Sequence, residues 1–178
     1  PRPQFKAKYT IDEALVWSIS RQESGFNPRA KSRAKAAGLM QLMPATASFV
    51  ARDRAYRGRK RHHLFEPALN LKLGQTYIKL LLAEQHVENS LIRMLVAYNG
   101  GPGNLRKWLG TIDHQDDPFL LVESIPARET RYYVKNVVSN LGIYRNRFGQ
   151  NAPELVGLAA GDGGHFVPSK AVEKTAID

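Results

Sequence analysis

Glu23-Ser24-Gly25-Phe26-Asn27, followed by Gly38-Leu39-Met40-Gln41-Leu42-Met43-Pro44, is the stretch on which the reading of this chain turns. Upstream of it, Ile11, Leu15, Ile19 and Gln22 recur at helical spacing with Ala14 and Trp17 beside them. An apolar helix therefore runs into Glu23. Thr10-Ile11-Asp12-Glu13 reads as a capping box at its start, with Thr10 as the cap and Glu13 reaching back. Gly25 supplies the stop. A carboxylate at the end of an apolar helix, faced by a segment rich in Gly, Met and Gln, lies in partly apolar surroundings. Such surroundings raise a carboxyl pKa and make a general acid at neutral pH.

Working outward, Pro44 suits the first position of a short helix through Val50. Residues 52–67 read as an irregular basic loop. Asn70 to Leu82 is a strong helix with Leu71, Gly74, Ile78 and Leu81 on one face, and Ser90 to Tyr98 another with Leu91, Leu95 and Tyr98 in register. Gly100-Gly101-Pro102-Gly103 breaks it. A short helix to Leu109 and a polar loop through Pro118 follow. From Glu129 a long helix carries Tyr133, Val137, Leu141 and Tyr144. Period-2 alternation is nearly absent, so the domain is mainly α. After Phe148 the composition shifts to Gly, Pro and small residues. Residues 1–150 are expected to form one domain, and 151–178 an appended segment of unknown role that lies over it or stays disordered.

The chain of 178 residues is long enough to bury a core. Its apolar runs fall far short of the roughly 18 residues a membrane span needs. It begins at Pro1 without a methionine or a secretory leader, which suggests a mature form or an excised piece. With no cysteine, disulfides, zinc–thiolate sites and cysteine nucleophiles are excluded. A formal charge of +10 favours a polyanionic partner: nucleic acid, anionic lipid or an acidic wall polymer. The densest run carries Arg54, Arg57, Arg59, Lys60 and Arg61, and reads first as a solvated loop. It lacks the aromatic interleaving of a nucleic-acid site. His62 and His63 have no ligand partners at metal spacing and read as surface histidines, so neither metal nor cofactor is expected.

Four segments together resemble the family 1 lytic transglycosylases, of the soluble lytic murein transglycosylase type. Glu23 to Asn27 is similar to that family's catalytic signature, and Gly38 to Pro44 to its second motif. Ala97-Tyr98-Asn99-Gly100-Gly101-Pro102-Gly103 resembles the third. Ile125-Pro126 with Glu129-Thr130-Arg131-Tyr132-Tyr133-Val134 resembles the fourth. They occur in family order across residues 10–148. Ala127 departs from the aromatic common after the Ile-Pro pair, and nothing beyond residue 150 matches. The resemblance implies a goose-lysozyme-like helical fold with a substrate cleft. It implies cleavage of peptidoglycan between N-acetylmuramic acid and N-acetylglucosamine, with Glu23 catalytic. Ser24, Ser32, Gln41, Met43, Tyr98, Asn99, Glu129 and Tyr133 would contact substrate. It aims the Tyr98 hydroxyl at the reacting centre near Glu23. The partners expected are peptidoglycan glycan strands and envelope or secretion-machinery proteins. Nucleic acid is not among them. A monomer in the bacterial periplasm is expected.

The residues also argue for themselves. Glycoside cleavage needs an acid for the leaving oxygen and usually a second carboxylate. Asp12 and Glu13 lie about 15 Å away along the same helix, and Asp53 and Glu66 flank the basic loop and could line a cleft, but sit in no matching motif. A single-acid site is therefore expected, aided by the substrate's own N-acetyl group. Glu23 would then act as base on the sugar's 6-hydroxyl and close a 1,6-anhydro ring. The rivals are a hydrolytic goose-type lysozyme, a sugar-binding module with a dead site, and a nucleic-acid-binding helical protein. The last leaves Glu23, Gln41, Tyr98 and Glu129 unexplained.

Overall fold

In the computed structural model, which describes residues 8–161 and 164–166, eight α-helices surround one apolar core. They are α1 (Glu13–Ser24), α2 (Pro44–Ala51), α3 (Pro67–Leu82), α4 (Leu91–Gly100), α5 (Pro102–Thr111), α6 (Pro118–Ser124), α7 (Arg128–Arg147) and α8 (Pro153–Ala160). Only isolated β-bridges occur among the described residues, two of them within residues 31–42. Residues 1–7, 162–163 and 167–178, which include most of the end of the expected extension, lie outside the described residues.

α1 is the central helix: Ala14 to Ser20 are all buried, and its main neighbour is α7. Trp17 fastens the pair, its ring meeting Phe26, Tyr144 and Phe148 edge-on at 5.4, 5.6 and 5.7 Å. Edge-to-face contacts of this kind add specificity to plain burial. The start of α1 differs from the expected capping box. Asp12 is the cap, its carboxylate accepting the Leu15 N–H at 2.9 Å. Thr10 instead donates its backbone N–H to Gln75 of α3. Gly25 ends the helix in the left-handed region (φ +57°), its N–H donating to Arg21 and Ser20 carbonyls. Glu23 is thus delivered at the last turn of the most buried helix.

The basic loop contains two 3-10 turns, Arg54–Arg57 and Arg61–Phe65. Asp53 caps the first and pairs with Lys60 at 2.7 Å, and Glu66 pairs with His63. Both acids therefore serve the loop and neither reaches Glu23's surroundings. Two short helices escaped the sequence reading. α6 follows the cap Asp117, which accepts from Phe119 and Leu120, and α8 begins at Pro153 within the expected appended segment. α8 is held down by a buried ion cluster. Arg145 of α7 donates to Glu154 at 3.0 Å and reaches Asp12 at 3.1 Å, all three residues being almost wholly buried. Burial raises the Glu154 pKa, partly offset by Arg145. A buried charge is tolerated only when paired in this way.

Candidate active site

The loop over residues 37–42 forms the floor opposite Glu23, and Asn70 holds it there. Asn70, fully buried in α3, accepts from the Met40 N–H at 2.8 Å and donates to Ala37 and Leu64 carbonyls at 2.9 and 2.8 Å. One side chain thereby pairs three backbone groups, and for the Met40 N–H and the Leu64 carbonyl it stands in for partners that burial would otherwise deny them; the Ala37 carbonyl also takes the Leu42 N–H at 3.1 Å. Two glycines permit the close approach. A Cβ on Gly38 (φ +81°) would lie 2.2 Å from the Leu64 carbonyl oxygen, and one on Gly74 would lie 2.2 Å from the Met40 sulfur.

Above this floor runs a groove of about 660 Å³. Of the nine residues expected to act there, all but Ser24 line it: Glu23, Ser32, Gln41, Met43, Tyr98, Asn99, Glu129 and Tyr133. They come from the end of α1, the loop before α2, the end of α4 and the first turns of α7. Ser24 does not line the groove. Its hydroxyl lies 2.8 Å from the Leu39 carbonyl and 3.0 Å from that of Ser20, so it ties the end of α1 to the floor.

Glu23 is largely buried, and its pKa rises from 4.5 to about 7. Loss of water around the carboxylate is the main cause. The Tyr133 hydroxyl, buried and with no other hydrogen-bond partner among the described residues, faces the carboxylate and pulls the pKa back down. The charge of Glu129 pushes it up again. A second carboxyl, that of Glu129, thus lines the groove, as the resemblance implied, while Glu23 is the one whose pKa is displaced. Glu129 stands 106 residues away in the chain but on the same groove wall, because α7 packs against both α1 and α4.

The other polar groups are partly committed. Tyr98 donates its hydroxyl proton to the Met40 carbonyl at 2.9 Å. Its proton therefore belongs to the floor, although the phenol is near enough to Glu23 for the carboxylate's charge, after burial, to raise the phenol's pKa. The Tyr98 and Tyr133 rings lie parallel at 6.4 Å and flank the acid. Gln41, at φ +44°, spends its amide N–H groups on the Ala30 and Gly38 carbonyls at 3.0 and 2.9 Å. Its Oε1 is what it presents to a ligand. Ser32 accepts from the Ala36 N–H, which leaves its own proton to donate. Asn99 accepts from Thr130 at 2.8 Å and keeps its amide protons. Met43, 39% exposed, forms an apolar wall. Four further lining residues were not singled out: Gln22, Ala34, Ala36 and Tyr132. Tyr132 belongs to the segment Glu129-Thr130-Arg131-Tyr132-Tyr133-Val134. The alanines carry no chemical signal, since they line by position alone. Among the described residues no group of three or more His, Asp or Glu could hold a metal ion.

This helical domain, with its groove running past one buried acid, has the lysozyme-like fold of the soluble lytic transglycosylases it superposes on. The chain belongs to the Transglycosylase SLT domain family, which matches residues 3–118, and the soluble lytic transglycosylase helical domain matches residues 124–153. It is 41% identical over 143 residues to the soluble lytic murein transglycosylase of Salmonella typhimurium, covering 79% of this chain and 22% of that protein. It is 33% identical over 162 residues to the membrane-bound lytic murein transglycosylase C of Salmonella arizonae, covering 81% and 45%. The solved 70 kDa soluble lytic transglycosylase of Escherichia coli superposes with a TM-score of 0.71 at 39% identity, covering 79% of this chain and 22% of that one. A complex of the 70-kDa soluble lytic transglycosylase with bulgecin A gives 0.71 at 38%, covering 80% and 23%. The chain thus spans about a fifth of the length of the soluble relatives it matches.

Proposed function

We propose that this chain is the catalytic domain of a peptidoglycan lytic transglycosylase, with Glu23 as acid and then base. The single observation that carries the reading is the Glu23 carboxyl on the groove wall with its pKa near 7. At neutral pH about half of the population holds the proton that the leaving glycosidic oxygen needs. Glu23 protonates that oxygen and the bond from C1 of the muramoyl sugar breaks. The sugar's N-acetyl oxygen bonds transiently to C1. The ionised Glu23 then removes the proton of the 6-hydroxyl, whose oxygen displaces the acetamido oxygen and closes the 1,6-anhydro ring. No water is consumed, and Glu23 ends protonated as it began. Ser32, Gln41, Asn99 and Met43 hold the sugars, Tyr98 and Tyr133 flank the acid, and burial, reinforced by the Glu129 charge, keeps the Glu23 proton in place. Ser24 acts by anchoring Glu23's helix rather than by touching substrate.

The second reading is hydrolysis by the same acid, and the Glu129 carboxylate in the groove favours it, since a second carboxylate can activate water. Mass spectrometry of the fragments released from purified peptidoglycan separates the two. Anhydro products are about 18 Da lighter than hydrolytic ones, the mass of the water not added. Predominantly reducing-end fragments would overturn the transglycosylase reading. The bacterial periplasm is the compartment that fits such a substrate, and no helix among the described residues is long and apolar enough to cross a membrane. A monomer acting alone or docked to envelope or secretion-machinery proteins fits the reading equally well. With α8 held by the Arg145 cluster, the catalytic unit extends past residue 150.

A further inference from the structure

Tyr132 lines the groove and Arg128, one turn before it, lies over its ring from outside the lining; neither has a part in the chemistry above. They lie four residues apart in the first turns of α7, hence on one helix face. Glu129 and Tyr133 form the next such pair, about 100° further round the helix. Tyr133 turns into the core against Glu23 and Glu129 onto the groove wall. Tyr132 is left at the rim, lining the groove while 52% exposed. The Arg128 guanidinium sits 5.3 Å from the Tyr132 ring centroid and donates toward the Tyr132 hydroxyl at 3.4 Å. The stack fixes a long side chain that would otherwise sweep through solvent. Among the described residues Arg128 forms no ion pair. The nearest carboxylate in sequence, Glu129, faces the groove instead.

An aromatic ring on a groove wall offers its electron-rich face to the C–H groups of a sugar ring. A planar, prepositioned guanidinium beside it offers a two-pronged site for a carboxylate. The geometry points to Tyr132 and Arg128 as a joint recognition element for a carboxylate-bearing peptide substituent on the glycan. Tyr132 supports the sugar ring, and Arg128 pairs with a carboxylate of the peptide that the muramoyl sugar carries. The inference rests on the proposed peptidoglycan substrate and adds selection for strands that still bear their peptides.

The test measures kcat/KM on peptide-bearing glycan strands and on strands stripped of peptides by an amidase. Arg128→Gln should lower the peptide-bearing to stripped ratio about five-fold, the upper end for an exposed ion pair. Arg128→Lys, which keeps the charge but loses the planar stack, should lower it less. Tyr132→Ala should raise KM on both substrates and also lower the ratio, because Arg128 loses its support. Both side chains are exposed, and matching melting curves would show that the variants fold. If wild-type protein releases anhydro fragments but Arg128→Gln keeps the wild-type ratio, this inference fails alone. If wild-type protein releases nothing from either substrate, the inference fails together with the proposed function.

Discussion

Replacing Glu23 by Gln should cripple the protein and, above neutral pH, make it more stable. The folded chain holds the Glu23 proton up to about pH 7, whereas an unfolded chain releases it near 4.5. Between these values the folded state binds more protons, so stability falls as pH rises. The contribution is fully present below pH 4.5 and fully lost above pH 7. At about 1.4 kcal/mol per pH unit of displacement, the native carboxylate costs about 3 kcal/mol at pH 8. Gln keeps the shape and a neutral polar end, so it escapes that cost. At pH 4, where Glu23 is neutral in both states, wild type and variant should unfold alike. At pH 8 the variant should melt about 6–12 °C higher, given about 2–4 °C per kcal/mol for a domain of this size.

The assay is a pair of thermal melts at pH 4 and pH 8, followed by lysis of peptidoglycan suspensions. Lysis by the variant should drop by about 10²–10⁴-fold, the usual worth of a positioned acid–base group. Equal stability of the two proteins at pH 8 would refute the claim that burial is what holds the Glu23 proton. Retained lysis would refute its catalytic role. The two failures are separate, because the first concerns the environment and the second the reaction.

Above about pH 7 the lytic rate should fall roughly tenfold per pH unit as Glu23 loses its proton. Tyr133→Phe should shift that limb to higher pH, since the hydroxyl lowers the Glu23 pKa, and Glu129→Gln should shift it lower; pH–rate profiles moving the other way would refute the assignments. Asn70→Ala strands the Met40 N–H and the Leu64 carbonyl, while the Ala37 carbonyl keeps the Leu42 N–H, so at about 1–3 kcal/mol per buried orphan it should destabilise by about 2 kcal/mol or more. A loss below about 1 kcal/mol in denaturant titrations would show that the floor holds itself. Binding to insoluble peptidoglycan should weaken with salt, over the range where the screening length is about 8–10 Å, and neutralising exposed Arg54, Arg57 and Arg59 should flatten that dependence. Lys60 should matter less, because Asp53 already compensates it.

Apolar periodicity located α1, α3, α4 and α7, because each is long and buries one clear stripe. Their interiors, such as Ala14 to Ser20, admit no other reading. The ends were less legible. Thr10 and Asp12 both suit a cap, and Gln75, 65 residues away, decides between them by taking the Thr10 N–H. α6 and α8 have only 7 and 8 residues, two turns each, too short for a period to show. Their punctuation, Asp117-Pro118 and Ala152-Pro153, was the remaining signal. In the groove, Glu23 was visible from its own segment. Glu129 was visible only through its motif, and that its charge acts on Glu23 follows from the packing of α7 across α1 and α4, which brings the two carboxyls to one groove. Ser24 was misplaced for a related reason. Its motif neighbour faces the groove, but α1 turns successive residues by about 100°, which aims the serine at the Leu39 carbonyl.

The distribution of charge explains how a strongly basic chain keeps an acid protonated. Burial, Tyr133 and Glu129 set the Glu23 pKa, and no cation acts on it. The groove lining contains two carboxyl residues and no Lys or Arg. A lysine or arginine within a few ångströms would stabilise the carboxylate and lower its pKa by about 1–3 units, leaving little acid at neutral pH. The excess positive charge therefore has to lie elsewhere. Arg54, Arg57 and Arg59 crowd the turn beyond α2, and Met43 at that helix's start is the groove wall. None of the three lines the groove, and none acts on the Glu23 carboxyl. They can therefore draw a polyanion toward the surface without stabilising the carboxylate that has to hold its proton. Attraction and proton donation ask for opposite local fields, and the fold assigns them to different surfaces.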